Sequence, residues 1–418
     1  MVEDFLARWR SAFRHPQQKW IAFFIFAGCL CRLVWPADMK WQADEIWMYE
    51  TARAVADDWQ AWPMLGMNNG VGFLNPGLSV WCFIALAKVT SDPVAMMVLI
   101  ALSNVLAILL FAGFVRRYVR PSLQSIWLWG SAFVSVNPLA VNFSRAIWAT
   151  DILPLWSFGV FVSHWWRDRR WGAYAWGLIG TLIGQVHMSG FLWQSGLVLW
   201  TIWHEGRGKA KQKTRWLFWL LGTIIGIIPL WPWLQQIANQ VVTADRPSFA
   251  ELLTPNFHLH WLLGAWGLGI EYEYTSEFWR SALFEPRIFG VPTFGVAIVH
   301  LALAVIAVGA LIRWWLKRSA TRRRHLIHPD RAMNYWWAGG LVMPLLLLFV
   351  RVRVPAHYLV VLFPLPQAWA AWLLHDRQRL LISACILQLL ITIFFLVDVH
   401  RNGGIANGDY GLTYRAQM

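Results

Sequence analysis

Long apolar runs, broken by short polar or basic stretches, repeat along the whole chain. Runs near 20–36, 93–115, 122–140, 152–166, 172–188, 190–203, 216–233, 290–312, 333–350, 356–374 and 380–398 each predict a membrane helix. The apolar run from Pro76 to Ala87 is short for a span and suits a re-entrant or interfacial segment. The expected fold class is therefore an all-α polytopic membrane protein of about 11 transmembrane helices, with short helices lying outside the spans.

The basic residues choose between topologies. If 76–89 stays on one side, the clusters at 1–19, 116–120, 167–170, 207–215, 313–331 and 377–379 share one side and hold 24 of the 36 Lys and Arg. If it crosses, every cluster after the first moves to the opposite side, against the positive-inside rule. The favoured division is a cytoplasmic amphipathic lead at 1–19, a transmembrane domain at 20–398 and an outer tail at 399–418. The outer loops are then 37–92, 141–151, 234–289 and 351–355. Phe5, Leu6, Trp9 and Phe13 give the lead an apolar face, beside Arg8, Arg10, Arg14 and Lys19.

Composition excludes a soluble protein: 58% of the 418 residues are hydrophobic, only 14% are charged, and 32 are Trp. The net charge of +14 does not indicate nucleic acid, because it sits in short clusters between apolar runs. Cys29, Cys31, Cys82 and Cys385 lie inside apolar segments without metal-ligand spacing, so they read as packing residues.

Chemistry is expected in the outer loops, first of all in the stretch from Trp41 to Glu50. Asp44 and Glu45 are adjacent, so on a helix they point about 100° apart and cannot share one proton. Asp44 reads either as the N-cap of a surface helix or as a functional acid. Ile46, Trp47 and Met48, with Val55, Ala56 and Trp59, would form the apolar face, and Glu50 would pair with Arg53.

An acidic pair just outside the first span, followed by Tyr49 and a surface helix, resembles the polyprenyl-phosphate-sugar-dependent glycosyltransferases of the GT-C class. The nearest likeness is to the protein O-mannosyltransferase-like family (glycosyltransferase family 39), which is itself similar to the lipid A aminoarabinose transferases. The resemblance implies a GT-C fold, Asp44 as the general base, and Glu45 beside it at the catalytic site.

Three further outer motifs extend the resemblance. The loop from Asn137 to Asp151 carries Ser144-Arg145 and closes on an acid. Arg145 would bind a lipid phosphate or serve as an interface anchor, and Asp151 would join the site or cap the next helix. His187, followed by Met188 and Ser189, ends the fifth span at its outer edge. Arg351 and Arg353, followed by Pro355, His357 and Tyr358, precede another apolar run, and the two arginines have the spacing to clamp a phosphate. The resemblance thus implies Arg145, Asp151, His187, Arg351, Arg353, His357 and Tyr358 as substrate- or lipid-phosphate-binding residues.

In the long outer segment 234–289, His258 and His260 would share one face of a strand, near Glu271 and Glu273. No third ligand has a fixed spacing, so no metal site is assigned and a divalent metal is left open as the only cofactor. Segment 234–289 reads better as an acceptor-side cover over a catalytic cavity.

The expected function is transfer of a sugar from a polyprenyl-phosphate donor to a hydroxyl of an envelope lipid, glycan or protein. The resemblance places it in the bacterial inner membrane, facing the periplasm, with inversion at the anomeric carbon and no nucleic-acid partner. A lipid-linked-sugar transporter or flippase, and an O-antigen-type ligase or polymerase, remain as alternatives. Against a carrier, no Asp, Glu, Lys or Arg lies near the middle of any expected span, and no internal repeat is evident.

Overall fold

The computed structural model describes residues 16–68, 74–208, 213–239, 256–320, 331–350 and 355–418. Residues 1–15 of the basic lead, Arg322, Arg323 and Arg324 of the cluster at 313–331, and both Arg351 and Arg353 lie outside the described residues. The described chain is helical, with three two-stranded hairpins.

The main helices, some on the expected apolar runs and some between them, follow in chain order. They are α1 (Pro16–Leu33), α2 (Ala43–Asp57), α3 (Leu78–Ala87), α4 (Pro93–Tyr118) and α5 (Pro121–Val136). Then come α6 (Leu153–Trp165), α7 (Arg170–Val186), α8 (Ser189–Gly206), α9 (Trp216–Ile227) and α10 (Asn256–Trp266). The last three are α11 (Gly295–Ala320), α12 (Leu365–Leu373) and α13 (Gln378–Asn402). Their ends follow local chemistry. Asp92 caps α4 by accepting from the amides of Val94 and Ala95, with Pro93 in the first turn where no N–H is needed. Gly403, at φ 68°, ends α13 in the left-handed region.

Among the described residues four helical stretches are long and apolar enough to cross a membrane: Pro93–Tyr118, Trp216–Gln236, Gly295–Leu316 and Gln378–Asn402. Leu217, Ile298, Leu301 and Val305 on two of them are exposed, as lipid-facing positions require.

The bundle has two chemically distinct ends. At the basic end, Gln17 on α1 bonds Gln378 on α13 at 3.1 Å, and Arg313 on α11 pairs with Asp376. Arg167 pairs with Glu205 at 3.3 Å, and the same carboxylate accepts the Thr214 amide. At the opposite, acidic end, α1 closes on α5. A Cβ at Gly28 would lie 2.1 Å from the Ser135 carbonyl oxygen, so only glycine permits this approach.

α3 does not run from one end to the other. Its 10 residues span about 15 Å, half of a hydrocarbon core of about 30 Å. It packs against α2, whose buried side is Glu45, Met48, Ala52 and Val55. Arg53 donates to the Ala87 carbonyl at 2.8 Å, and Tyr49 donates to the Ser91 carbonyl at 2.6 Å. These bonds hold the start of α4 at the acidic end, where α1 finishes. Arg53 pairs with Asp57, one turn on at i, i+4, at 2.6 Å, rather than with Glu50 as expected.

The tail also returns to the acidic end. Gly404–Ile405 and Gly411–Leu412 form a hairpin, and Thr413 bridges Lys40 in antiparallel fashion.

Candidate functional site

The site is built on the loop between α1 and α2. This loop turns at Pro36–Asp38 and enters α2 through Gln42. Gln42, not Asp44, is the N-cap, and Glu45 Oε2 accepts the Gln42 amide at 2.9 Å. The capping role therefore falls to Glu45, one residue beyond the expected position. Asp44 is exposed, and its carboxylate makes no hydrogen bond among the described residues. Loss of water raises its pKa, Lys40 opposes the rise, and Asp409 adds to it.

The tail supplies the facing wall. Lys40 Nζ lies 3.0 Å from Asp409 Oδ2, and Gln42 donates to the Tyr410 carbonyl at 3.3 Å. A Cβ at Gly411 would fall 0.9 Å from Gln42 Nε2, and φ there is +67°, so this crossing is possible only with glycine. Asp38 is buried between Arg415 Nε at 2.7 Å and His400 Nδ1 at 2.5 Å.

Glu273 closes the group. It is fully buried, and neither carboxyl oxygen has a hydrogen-bond partner among the described residues. Burial pushes its pKa up to about 7, with Lys40 opposing and Asp409 and Glu45 reinforcing. Burial alone would discharge Lys40, but Glu273, Glu45 and Asp409 outweigh it and hold the ammonium above the ordinary lysine range. One lysine thus stands among four carboxyls, counting Asp44, that come from three distant segments of the chain.

Arg145 and Asp151 have internal partners. Arg145 is buried and donates to the carbonyls of Cys31, Arg32, Val34 and Trp35 at 2.7–3.1 Å. Cys31 and Arg32 give carbonyls of the last turn of α1, where a cation is favoured, and Val34 and Trp35 follow it, Trp35 also accepting the Asp38 amide at 3.0 Å. A lipid phosphate would have to displace them, so the expected phosphate role does not fit Arg145 here. Asp151 accepts from the Ala146 amide and the Thr150 hydroxyl, both at 2.9 Å, which folds the loop on itself. It does not cap α6, whose preceding residue Ile152 makes no side-chain cap bond. Burial first, with Glu45 adding, raises its pKa well above the carboxylate range, while the Thr150 and Ala146 bonds and Lys40 act against it.

His187, His357 and Tyr358 meet, although 170 positions separate the first from the other two. The His187 ring lies 5.7 Å from His357 and 5.2 Å from Tyr358, and Trp148 packs on His357 at 4.8 Å. His187 Nδ1 is 2.8 Å from the Ser189 hydroxyl, whereas His357 Nδ1 is buried without a partner. Lys40 and His260 are within electrostatic reach of His357, which puts the imidazoles and the acids at the same end of the bundle.

Beside both groups lies a cavity of about 350 Å³. Its walls are mainly apolar, with Ile108, Leu259, Leu263 and Phe363 among them, and His260, Glu271 and Tyr272 add polar groups. Asp44 and Glu45 do not line it. Tyr272 connects it to the acids, since Lys40, Asp409 and Glu273 all act on its hydroxyl. His258 and His260 lie on a helix rather than a strand, and they diverge: His258 bonds the Gly340 carbonyl at 3.1 Å, while His260 faces the cavity. Among the described residues no group of three His, Cys, Asp or Glu is placed to hold a metal ion.

Lys40, Glu273, Asp409 and the tail were not singled out as site residues by sequence reasoning. Lys40 stands four positions before the acidic pair, in a loop expected to be an outer one, where cations are scarce, and that placement was the available signal. Comparison with family models, curated proteins and solved structures finds no match.

Proposed function

We propose that this chain is a GT-C-type membrane glycosyltransferase that moves a sugar from a polyprenyl phosphate to an acceptor hydroxyl. About eleven helical passages would cross the bacterial inner membrane, with the basic end in the cytoplasm and the acidic end facing the periplasm. The observation that carries the reading is Asp44: a carboxylate without a hydrogen-bond partner among the described residues, on the first turn of α2, with Lys40 and Asp409 in electrostatic reach.

In this reading Asp44 takes the proton of the acceptor hydroxyl as that oxygen bonds the anomeric carbon. The bond from that carbon to the phosphate oxygen breaks, and polyprenyl phosphate leaves as an anion. Attack opposite the leaving group inverts the centre. Lys40 is the nearest described cation to stabilise the developing charge, in place of Arg145. Arg351 and Arg353 stay candidates for the phosphate on sequence grounds. The 350 Å³ cavity has the apolar walls to hold the first isoprene units of the donor.

The test is transfer of radiolabelled sugar from a synthetic polyprenyl-phosphate donor by purified protein in nanodiscs. The reading requires transfer by the wild type and its loss in Asp44→Asn. A wild-type preparation that binds no polyprenyl phosphate and transfers no sugar would overturn it.

A further inference from the structure

The short segment Ile270–Tyr274 faces three ways. Glu271 and Tyr272 line the 350 Å³ cavity, and Glu273 faces Lys40. Ile270 and Tyr274 line a second cavity, of about 310 Å³, between α11, α13 and the helix Ser276–Ala282. None of the residues discussed for glycosyl transfer lies in this second cavity.

Its inner wall is apolar and aromatic, with Trp279, Ile391 and Phe395. One polar atom there is left over. His300 Nδ1 lies 3.3 Å from the Val296 carbonyl, an acceptor, so Nδ1 carries the proton. Nε2 is then a hydrogen-bond acceptor, buried and without a partner among the described residues. It has almost no accessible surface, so a ligand O–H or N–H reaches it only when neighbouring side chains shift.

The rim is charged. Asp398 Oδ2 accepts from the Tyr274 hydroxyl at 2.9 Å, and Oδ1 accepts from Asn402 at 2.8 Å. Glu285 pairs with Arg287 at 3.3 Å. Arg401 is exposed on the same rim and makes no ion pair among the described residues.

The position is informative too. α11 and α13 both have stretches long and apolar enough to cross a membrane, and the cavity opens near the outer end of each. The hairpin Arg287–Ile288 with Val291–Pro292 stands beside it and leaves Ile288, Phe289 and Val291 exposed, Phe289 completely so. An apolar tip with no protein cover, at the end of membrane-length helices, matches the headgroup level of a bilayer.

We propose that this second cavity binds a membrane lipid whose head group carries free hydroxyls and a phosphate. The hydroxyls donate to His300 Nε2 and to Asp398, Arg401 takes the phosphate, and the chain runs along Ile391 and Phe395. The lipid site stands on its own geometry. Its role as the berth of a lipid acceptor, one wall away from Glu273 and Lys40, rests on the glycosyltransferase reading.

The test is lipid retention by the purified full-length protein, read by native mass spectrometry without any sugar donor. The probes are phosphatidylglycerol, phosphatidylcholine with the same chains, and soluble glycerol 3-phosphate. Phosphatidylglycerol is expected to bind about tenfold more tightly than either of the others, since only it combines hydroxyls, phosphate and chains. Arg401→Gln, at an exposed position, is expected to weaken phosphatidylglycerol about tenfold without altering the fold. Ala282→Phe, which fills the cavity, should remove the retained lipid. If that variant does not fold, Arg401→Gln carries the test. Equal binding of the two lipids, or phosphatidylglycerol binding untouched by Arg401→Gln, overturns the site. Glycerol 3-phosphate binding as tightly as the lipid overturns the lipid assignment. No turnover is measured, so a failure of the transferase reading leaves this outcome legible.

Discussion

Arg145 donates to the main-chain carbonyl of Arg32 at 3.1 Å, while Arg32 itself donates to the Ser135 carbonyl at 2.5 Å and to Val134 at 3.0 Å. Two helices therefore end on an arginine: α1 on Arg145, from the loop before α6, and α5 on Arg32 of α1. Among the described residues neither cation forms an ion pair with a carboxylate, though Asp38 acts on Arg145 from further off. Each is held by carbonyls at the negative end of a helix.

Arg145→Ala removes one side of that arrangement and takes the guanidinium donor from the carbonyls of Cys31, Arg32 and Val34, while Trp35 keeps only the Asp38 amide. Charge-assisted bonds of this kind contribute about 1.5–3 kcal/mol each, so a loss of about 3 kcal/mol or more is expected. It should appear as a lower thermal midpoint in detergent, with donor affinity of the folded fraction unchanged. Wild-type melting combined with weakened donor binding would return Arg145 to the phosphate.

Asp44→Asn should leave stability close to wild type, because Gln42 and Glu45 carry the cap. Turnover should fall by roughly 10²–10⁴-fold if Asp44 is the base, with donor affinity far less affected. Glu45→Gln keeps a carbonyl oxygen for the Gln42 amide and should lose less activity. Transfer rates of both variants in one nanodisc preparation decide the matter, and a fully active Asp44→Asn enzyme excludes the assignment.

Glu273 gives stability a pH dependence of defined sign. Its folded pKa, about 7, lies above the unfolded value near 4.5, so the native state holds the extra proton between those values. Its contribution is therefore greatest below about 4.5 and is lost as pH rises through about 7. The full effect is on the order of 3 kcal/mol. Glu273→Gln cannot ionise, so its melting midpoint should gain on the wild type steadily from pH 5 to pH 8. Parallel melting curves across that range would show that Glu273 is already ionised in the fold.

Arg415→Ala leaves the buried Asp38 carboxylate with His400 alone. The tail should then loosen. Hydrogen exchange reports it directly, since the Tyr410 amide bonds the Glu273 carbonyl and the Tyr414 amide bonds the Met39 carbonyl. Both amides are expected to exchange faster while those of α4 keep their protection. Unchanged protection at Tyr410 and Tyr414 would mean the tail is held without the Asp38 pair.

Lys213 and Asn407 are exposed at opposite ends of the bundle. In a background without the four native cysteines, a cysteine at Asn407 should react with an impermeant reagent added outside intact cells. A cysteine at Lys213 should react only after lysis. The reverse pattern would invert the membrane orientation and place the acids in the cytoplasm.

The helices were legible in the sequence because lipid burial acts on each stretch of chain separately. A run of apolar side chains, a proline at a helix start, or a glycine at its end is read without knowing the neighbours. The same local logic gave the shortness of α3 and the presence of acids just after α1. What a charged group bonds is a different kind of question. Arg145 resembles a phosphate ligand until α1 delivers its four carbonyls from more than a hundred positions away. Asp44 resembles a cap until the backbone starts the helix at Ala43. Lys40, Glu273 and Asp409 carry no shared motif, and only packing of the tail and of segment 270–274 onto the first loop brings them together. Desolvation and partner choice depend on the whole surroundings of a group. For that reason the tertiary structure decided which ionisable side chains are engaged with main chain and which are left to face a ligand.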